Sequence, residues 1–407
     1  MASARDKSET RRLSMSTKAS ETKTTSSAAA KATRVNLFGL DREAMAAFFR
    51  EHGESAFRAK QVMQWIYARG VTDFSAMTDL SKALRERLPD IAEIHPPAKI
   101  REQKATDGTR KWLLAVTEDL DPDNAIEAVY IPEADRATLC ISSQIGCALD
   151  CSFCATGKQG LNRNLTTAEI VGQVWMAEHD LRAQGLVHGD RALSNIVFMG
   201  MGEPLANYRA VVPAIRILLD DYGFGLSKRR VTVSTSGMVP FMDRLREEVD
   251  VALAVSLHAP TDDLRDELVP INRKYPLAEL MAACDRYVED KQRRAHVVYE
   301  YVLLNGVNDN PEQARGLVKL LANRPAKINL IPFNAFEGSG YTRPDEARIR
   351  QFQDILHNKG LRTTVRRTRG DDIDAACGQL VGRVRSKQKR HFRDVPIRVE
   401  SKPVASV

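Results

Sequence analysis

Three cysteines fall within eight residues of this chain, in the run Cys147-Ala148-Leu149-Asp150-Cys151-Ser152-Phe153-Cys154. Soft thiolates at a C-x3-C-x2-C spacing hold iron–sulfur clusters or zinc. Structural zinc takes four ligands, usually as separated pairs, and the local count here is three. A cubane cluster on three thiolates leaves one iron open, and that iron can chelate a small molecule through an amine and a carboxylate. The spacing therefore favours a cluster with a chemical task. A zinc-containing RNA-binding protein is the competing reading.

Four later segments offer groups suited to a polar, charged ligand. They are Gly200-Met201-Gly202-Glu203-Pro204, Ser234-Thr235-Ser236-Gly237, Ser256-Leu257-His258 and Ile331-Pro332-Phe333-Asn334. Glycine permits close backbone approach, and a carboxylate accepts from an ammonium. Each segment alone reads as a turn, a helix cap or a strand terminus. Their recurrence after successive strands is the signal. His258 by itself reads as a hydrogen-bonded structural histidine rather than a ligand or base. Three further cysteines stand apart. Cys140 precedes the first motif cysteine by seven residues, Cys377 lies far downstream, and Cys284 sits in an Ala-rich helix as an inert core residue.

Such residues need a frame that gathers them. Strand-like runs at 138–142, 195–199, 230–234, 251–257, 297–303, 327–332 and 362–366 alternate with amphipathic helices such as 167–181. This rhythm predicts an α/β fold with a parallel sheet, open or barrel-like. Chemistry in such folds collects at the C-terminal strand ends. Upstream, residues 36–98 predict a helical accessory domain. Asp41 caps a first helix with Met45, Phe48 and Phe49 on one side. Phe57, Val62, Trp65 and Ile66 mark a second helix, and Met77, Leu80, Leu84 and Leu88 a third. Arg50, Arg58, Lys60, Arg69, Lys82 and Arg85 fall on its exposed positions, as a solvated face or an RNA-docking surface. Residues 99–136 predict a β-hairpin extension turning at Asp107-Gly108, with an alternating strand from Ile126 to Ile131 that carries Glu127. Residues 137–382 form the core domain. Residues 1–35 hold almost no large apolar side chain and predict disorder. Residues 383–407 form a tail whose stretch from Arg383 to Arg398 holds seven Lys or Arg against one Asp.

The chain has 407 residues, 43% of them hydrophobic, and a net charge of +7. No apolar run reaches bilayer length, and no secretory leader core opens the sequence, which predicts a cytoplasmic protein without a membrane partner. The clustered cysteines suit a reducing compartment. The basic balance favours polyanionic partners.

The cysteine motif, with an aromatic before its last cysteine, resembles the signature of the radical-SAM superfamily, whose open iron binds S-adenosylmethionine (SAM). Gly200-Met201-Gly202-Glu203-Pro204 resembles that superfamily's Gly-Gly-Glu-Pro element. With Gly370-Asp371-Asp372-Ile373-Asp374-Ala375-Ala376-Cys377-Gly378-Gln379-Leu380 the likeness narrows. From about Leu37 to the basic tail the chain resembles the RlmN/Cfr family of radical-SAM RNA methyltransferases, on the RlmN side. Residues 1–35 and the acidic stretch from Glu118 to Asp123 look like additions to the common pattern.

The resemblance implies a partial (β/α) barrel with a small N-terminal helical domain and a β-rich extension. It implies a [4Fe-4S] cluster on Cys147, Cys151 and Cys154, and SAM contacts from Gly202, Glu203, Ser234, Ser256, Leu257, His258 and Asn334. The implied reaction makes 2-methyladenosine in 23S ribosomal RNA and in transfer RNA, with two SAM per turnover. Cys377 would first carry the methyl group, Glu127 would be the acid/base carboxylate, and Cys140 would be the disulfide partner that releases product. A cellular electron donor and a disulfide reductant would be partners, and the protein would act as a monomer. A Cfr-type enzyme, acting at adenine C8, is the nearest alternative.

Overall fold

Local signals in the sequence set most of the elements. The computed structural model describes residues 34–116, 124–187, 191–289 and 295–384. At the N-terminus, β1 (Val35–Asn36) leads into α1 (Arg42–Glu51), α2 (Arg58–Met63) and α3 (Lys82–Ile91), and β2 (Ala92–Glu93) returns to pair with β1 in parallel. Asp41 caps α1 by accepting from Ala44 N at 2.9 Å, and Met45, Phe48 and Phe49 bury one stripe of it.

Phe57 departs from the expected pattern. It sits at the entrance of α2 rather than on its inner face and is 58% exposed. The basic positions here are largely engaged within the chain. Arg58 donates to Gln61, Arg85 donates to the Ser75 carbonyl, Lys60 lies over the Tyr222 ring and Arg69 over Trp65.

The antiparallel extension is β3 (Ala98–Lys104), β4 (Arg110–Ala115) and β5 (Asn124–Pro132). It is continuous with the main sheet, because β5 pairs on its far side with β6 (Ala137–Cys140). The alternation expected along β5 is absent. Residues 125–130 are all buried, since the strand is interior to the sheet and covered on both faces. After β6 come β7 (Gln144–Gly146), α4 (Ala155–Lys158) and β8 (Leu161–Asn164), with β7 and β8 forming a separate ribbon. The core then alternates through α5 (Thr167–Ala183), β9 (Asn195–Phe198), α6 (Tyr208–Leu219), β10 (Val231–Thr235), α7 (Val239–Glu248), β11 (Ala252–Ser256), α8 (Asp262–Leu268), α9 (Leu277–Val288), β12 (Val297–Leu303), α10 (Pro311–Leu320), β13 (Ala326–Pro332), α11 (Glu346–His357) and β14 (Arg362–Val365).

The sheet runs β14-β13-β12-β11-β10-β9-β6-β5-β4-β3, parallel from β14 to β6. Its strands lie in sequence order, so seven successive C-terminal ends from β6 to β14 fall along one edge, as a partial (β/α) barrel requires. The buried apolar side chains of the helical segment, the extension and the core form one continuous cluster.

The supposed tail begins inside the fold, since β15 (Arg383–Val384) pairs antiparallel with the start of β5. The rest of the tail, the acidic stretch from Glu118 to Asp123 and residues 1–33 lie outside the described residues. Among the described residues, no helix is long and apolar enough to cross a membrane.

Asp41 both caps α1 and pairs with Arg216 of α6 at 3.4 Å. Asp41→Ala is expected to cost about 1 kcal/mol of stability, read as a lowered urea midpoint with an unchanged slope.

Candidate active site

The three motif cysteines occupy the loop between β7 and α4. A tight ribbon turn sets that loop. Gly146 has φ +77°, and a Cβ there would lie 2.0 Å from the Gly160 carbonyl oxygen, so only glycine fits. Cys147 N donates to that same oxygen at 3.0 Å, and Cys154 N donates to the Cys151 carbonyl at 3.1 Å. Ser152 is anchored from outside, donating its N–H to the Leu268 carbonyl and accepting at Oγ from the Tyr341 hydroxyl.

All three thiols line one cavity of about 160 Å³. Burial pushes each of them above the ordinary thiol range, and for Cys147 and Cys151 a neighbouring motif thiol adds to the effect. Iron binding would replace those protons. Among the described residues, no three His, Cys, Asp or Glu side chains are gathered closely enough to hold a single metal ion.

The strand-end segments meet the same cavity. Gly202, Glu203, Ser234, Ser256, His258 and Asn334 all line it. Gly202, at φ +96°, packs against Gln144, where a Cβ would come within 2.5 Å of that side chain. Glu203 is 3% exposed and accepts from Leu205 N at 3.1 Å and Ser236 N at 2.8 Å. Burial raises its pKa to about 7, opposed by those hydrogen bonds. Its environment is therefore a suitable one for an ammonium partner.

His258 accepts from Val302 N through Nδ1 at 2.9 Å. Burial pushes its pKa down to about 3, so the ring is neutral and Nε2 carries the proton. Leu257 does not line the cavity. It lies behind the wall, fully buried, with its carbonyl accepting from Arg265. The strand period accounts for this, because neighbours at a strand end face opposite sides.

Cys377 lies on the same cavity wall, although 223 residues separate it from Cys154 in the chain. Ala155 N donates to the Gly378 carbonyl at 2.8 Å, and the Thr156 hydroxyl donates to that of Leu380. Cys140, 4% exposed at the end of β6, lies close enough to Cys377 for that thiol to help raise its pKa, which burial pushes up to about 12. Both are free thiols, as are the other four cysteines. Cys284 is buried in α9.

Glu127 does not reach the cavity wall. It is 6% exposed and pairs with Lys111 Nζ at 3.3 Å. Its Oε2 accepts from Val381 N at 3.0 Å, while Lys111 donates to the Asp374 carbonyl at 3.1 Å. The pair thus clamps both ends of the segment bearing Cys377.

Lys111 and Arg265 gave no signal in the sequence. Arg265 lies in Asp262-Asp263-Leu264-Arg265-Asp266-Glu267-Leu268, which reads as a solvated helix, yet it is 0% exposed. Its guanidinium donates to the carbonyls of Leu257, Ser236 and Ser256 and to Asn272, tying the ends of β10 and β11 together.

A parallel sheet whose C-terminal edge carries three loop thiols and a cavity lined with serine, glycine and a buried carboxylate defines a radical SAM enzyme. A family model described as the ribosomal RNA large subunit methyltransferase N-terminal domain matches residues 35–94, and one described as the radical SAM superfamily matches residues 141–318. The crystal structure of a radical SAM methyltransferase from Sphaerobacter thermophilus is 46% identical, with a TM-score of 0.78 over 85% of this chain and 99% of that one. The chain belongs to the RlmN/Cfr family of radical SAM methyltransferases. More distant solved structures overlap less. A domain of pyruvate-formate lyase-activating enzyme from Bacteroides vulgatus is 18% identical, with a TM-score of 0.34 over 43% of this chain and 99% of that one. SuiB of Streptococcus suis bound to S-adenosylmethionine is 14% identical, with a TM-score of 0.40 over 55% and 49%.

The family implies a [4Fe-4S] cluster and SAM, and the thiols and cavity fit both. Cys151→Ala is expected to lose most of its iron after anaerobic reconstitution, measured by iron and sulfide analysis; full iron content would remove Cys151 from the ligand set. Arg265→Met leaves buried carbonyls without a donor. It should lower stability by about 3 kcal/mol, seen in denaturant unfolding of the apoprotein.

Proposed function

We propose that this enzyme forms 2-methyladenosine in ribosomal and transfer RNA by way of a methyl group carried on Cys377, using two SAM per turnover. The observation that carries the reading is the placement of Cys377 on the wall of the cavity that the motif thiols line, with Cys140 close behind. Adenine C2 is electron-poor and cannot attack a sulfonium methyl, so an ordinary displacement onto the base fails. A thiolate can make that displacement, and Cys377 does so first. Arg366 favours its ionised form against the burial that opposes it.

A [4Fe-4S] cluster held by Cys147, Cys151 and Cys154 would supply the electron for reductive cleavage of a second SAM to a 5′-deoxyadenosyl radical. The S-methyl group of Cys377 loses a hydrogen atom to that radical, and its carbon then bonds to adenine C2. The adduct regains its aromatic ring by losing the C2 proton, assigned to Glu127, which is clamped with Lys111 against the Cys377 segment, and its unpaired electron, which the oxidised cluster would take back. The Cys140 thiolate attacks the Cys377 sulfur. This breaks the bond from that sulfur to the former methyl carbon, which takes a proton from solvent to become the product methyl group, and leaves a Cys140–Cys377 disulfide. A cellular dithiol resets it. Glu203 would take the SAM ammonium, and Ser234, Ser256, His258 and Asn334, which line the same cavity, would hold the rest of SAM. The cytoplasm supplies both the electron donor and the reductant. Methylation at adenine C8 uses similar groups and is the outcome to be distinguished.

Cys140→Ala should accumulate a protein–RNA adduct that survives denaturation, because it lacks the releasing thiol. Cys377→Ala and the double variant should give neither adduct nor methyladenosine. Multiple turnover by Cys140→Ala would remove Cys140 from its role. Nucleoside mass spectrometry of ribosomal and transfer RNA fractions from a deletion strain separates C2 from C8 and one RNA class from the other.

A further inference from the structure

A carbon on the Cys377 sulfur can reach adenine C2 only if that nucleotide lies in the cavity. Its flanking phosphates must then lie within a nucleotide's length of Cys377. Each arrives at the protein surface with a negative charge that needs a cation or water.

The chain places cations there. β14 ends at Val365, and Arg366, Arg367, Thr368 and Arg369 follow directly. These four residues and Cys377 line a groove that shares Ile331, Asn334 and Cys377 with the active cavity.

The three guanidiniums differ in what they already hold. Arg369 pairs with Asp107 at 3.6 Å. Arg366 faces Cys377, Glu300, Cys140 and Glu133 without a side-chain hydrogen bond to any of them. Arg367 is exposed and makes no hydrogen bond or ion pair with any described residue.

The nearby acids are occupied. Asp107 accepts from Thr109 N and Gly370 N, Glu133 from Arg136 at 2.8 Å, and Glu300 from Asn329 through both oxygens. Thr368 is fixed by its hydrogen bond to Asn334 at 3.1 Å. The groove therefore carries positive charge in excess of its internal needs, at the rim of the site where chemistry on a nucleotide would occur.

We propose that this groove is a phosphate-binding subsite that holds the RNA backbone beside the target adenosine, with Arg367 as its free cation and Arg366 behind it. The assignment rests on the proposed RNA substrate, and it puts a docking contact on the sheet edge in addition to any made by the helical segment. It also explains an economy of placement. One loop, between β14 and Cys377, both carries the methyl acceptor and grips the strand that receives the methyl.

The test uses full-length, cluster-loaded protein and an RNA hairpin with one adenosine in its loop. RNA affinity is measured across a salt series for the wild type, Arg367→Ala and Arg367→Glu. Melting temperature and iron content verify that the variants fold, as an exposed, unpartnered side chain should allow. Arg367→Ala should weaken binding about fivefold at low salt and reduce the slope of log K against log salt by about one. Arg367→Glu should weaken it further. An unchanged affinity and slope in Arg367→Glu would overturn the subsite. So would weaker SAM binding with the RNA slope intact, which would make the groove part of the cofactor pocket. The wild type incubated with SAM alone tests the underlying reading separately. Absence of S-methylation on the Cys377 peptide overturns the methyl-carrier mechanism, whereas a reduced salt slope in Arg367→Ala still supports RNA phosphate in the groove.

Discussion

The 2.8 Å hydrogen bond from Ala155 N to the Gly378 carbonyl joins the two halves of the site. One side of it belongs to the loop of motif cysteines, the other to the segment bearing Cys377. Nothing local relates these segments, so the sheet must bring them together. Seven parallel strands in sequence order wind the chain along the sheet, from β6, which ends just before the cysteine loop, to β14, which leads into the Cys377 segment. The antiparallel extension supports the site from behind the cavity wall, because β5 carries Glu127 and β4 carries Lys111, and together they hold the Cys377 segment at Asp374 and Val381. The extension is thus part of the site's framework as well as of the sheet.

The cavity wall relies on buried polar groups, and such groups cost stability unless they are satisfied. Glu203 shows how this is arranged. Its two carboxylate oxygens accept from Leu205 N and Ser236 N, and the Ser236 carbonyl in turn accepts from Arg265. Arg265 is held by carbonyls and by Asn272, and Asn272 donates to Asp262 and Asp266. Charge compensation therefore passes from the carboxylates of α8 through an amide to the buried guanidinium. This network fixes the ends of β10 and β11 before any ligand binds, which lowers the ordering cost of binding.

Much of this frame was legible in the chain. Seven strand-like runs became β6 and β9 to β14 with their ends shifted by at most two residues, because buried parallel strands read as short apolar runs bounded by polar ends. Asp41 acted as a cap because its side chain competes for a free helix N–H whatever surrounds it. What could not be read depended on tertiary context. Phe57 carries an apolar side chain at helical spacing and still faces solvent, since the helix starts just after it. Arg265 looks like a surface residue among acids until the sheet puts three carbonyls around it. Leu257 adjoins two wall residues and still points its contacts behind the wall. Motifs located the thiols, the carboxylate of Glu203 and the Cys377 segment. They carried no information on which basic side chains complete the site.

On the proposed reading Cys377 must meet four partners in turn: the SAM methyl, the radical, the adenine and Cys140. A residue inside a strand could not serve them all. Cys377 instead lies between Asp374, held in the left-handed region at φ 51°, and β15, in a stretch without helix or strand that follows the short 3-10 turn Asp371–Ile373. Its position comes from contacts near the ends of the stretch, at Asp374, Gly378, Leu380 and Val381, and from the internal bond of Ala376 N to Gln379. Segments held this way open at lower free energy than strands of the core. Two of those contacts belong to the Glu127–Lys111 pair, so the carboxylate assigned to the C2 proton is also one that holds the Cys377 segment.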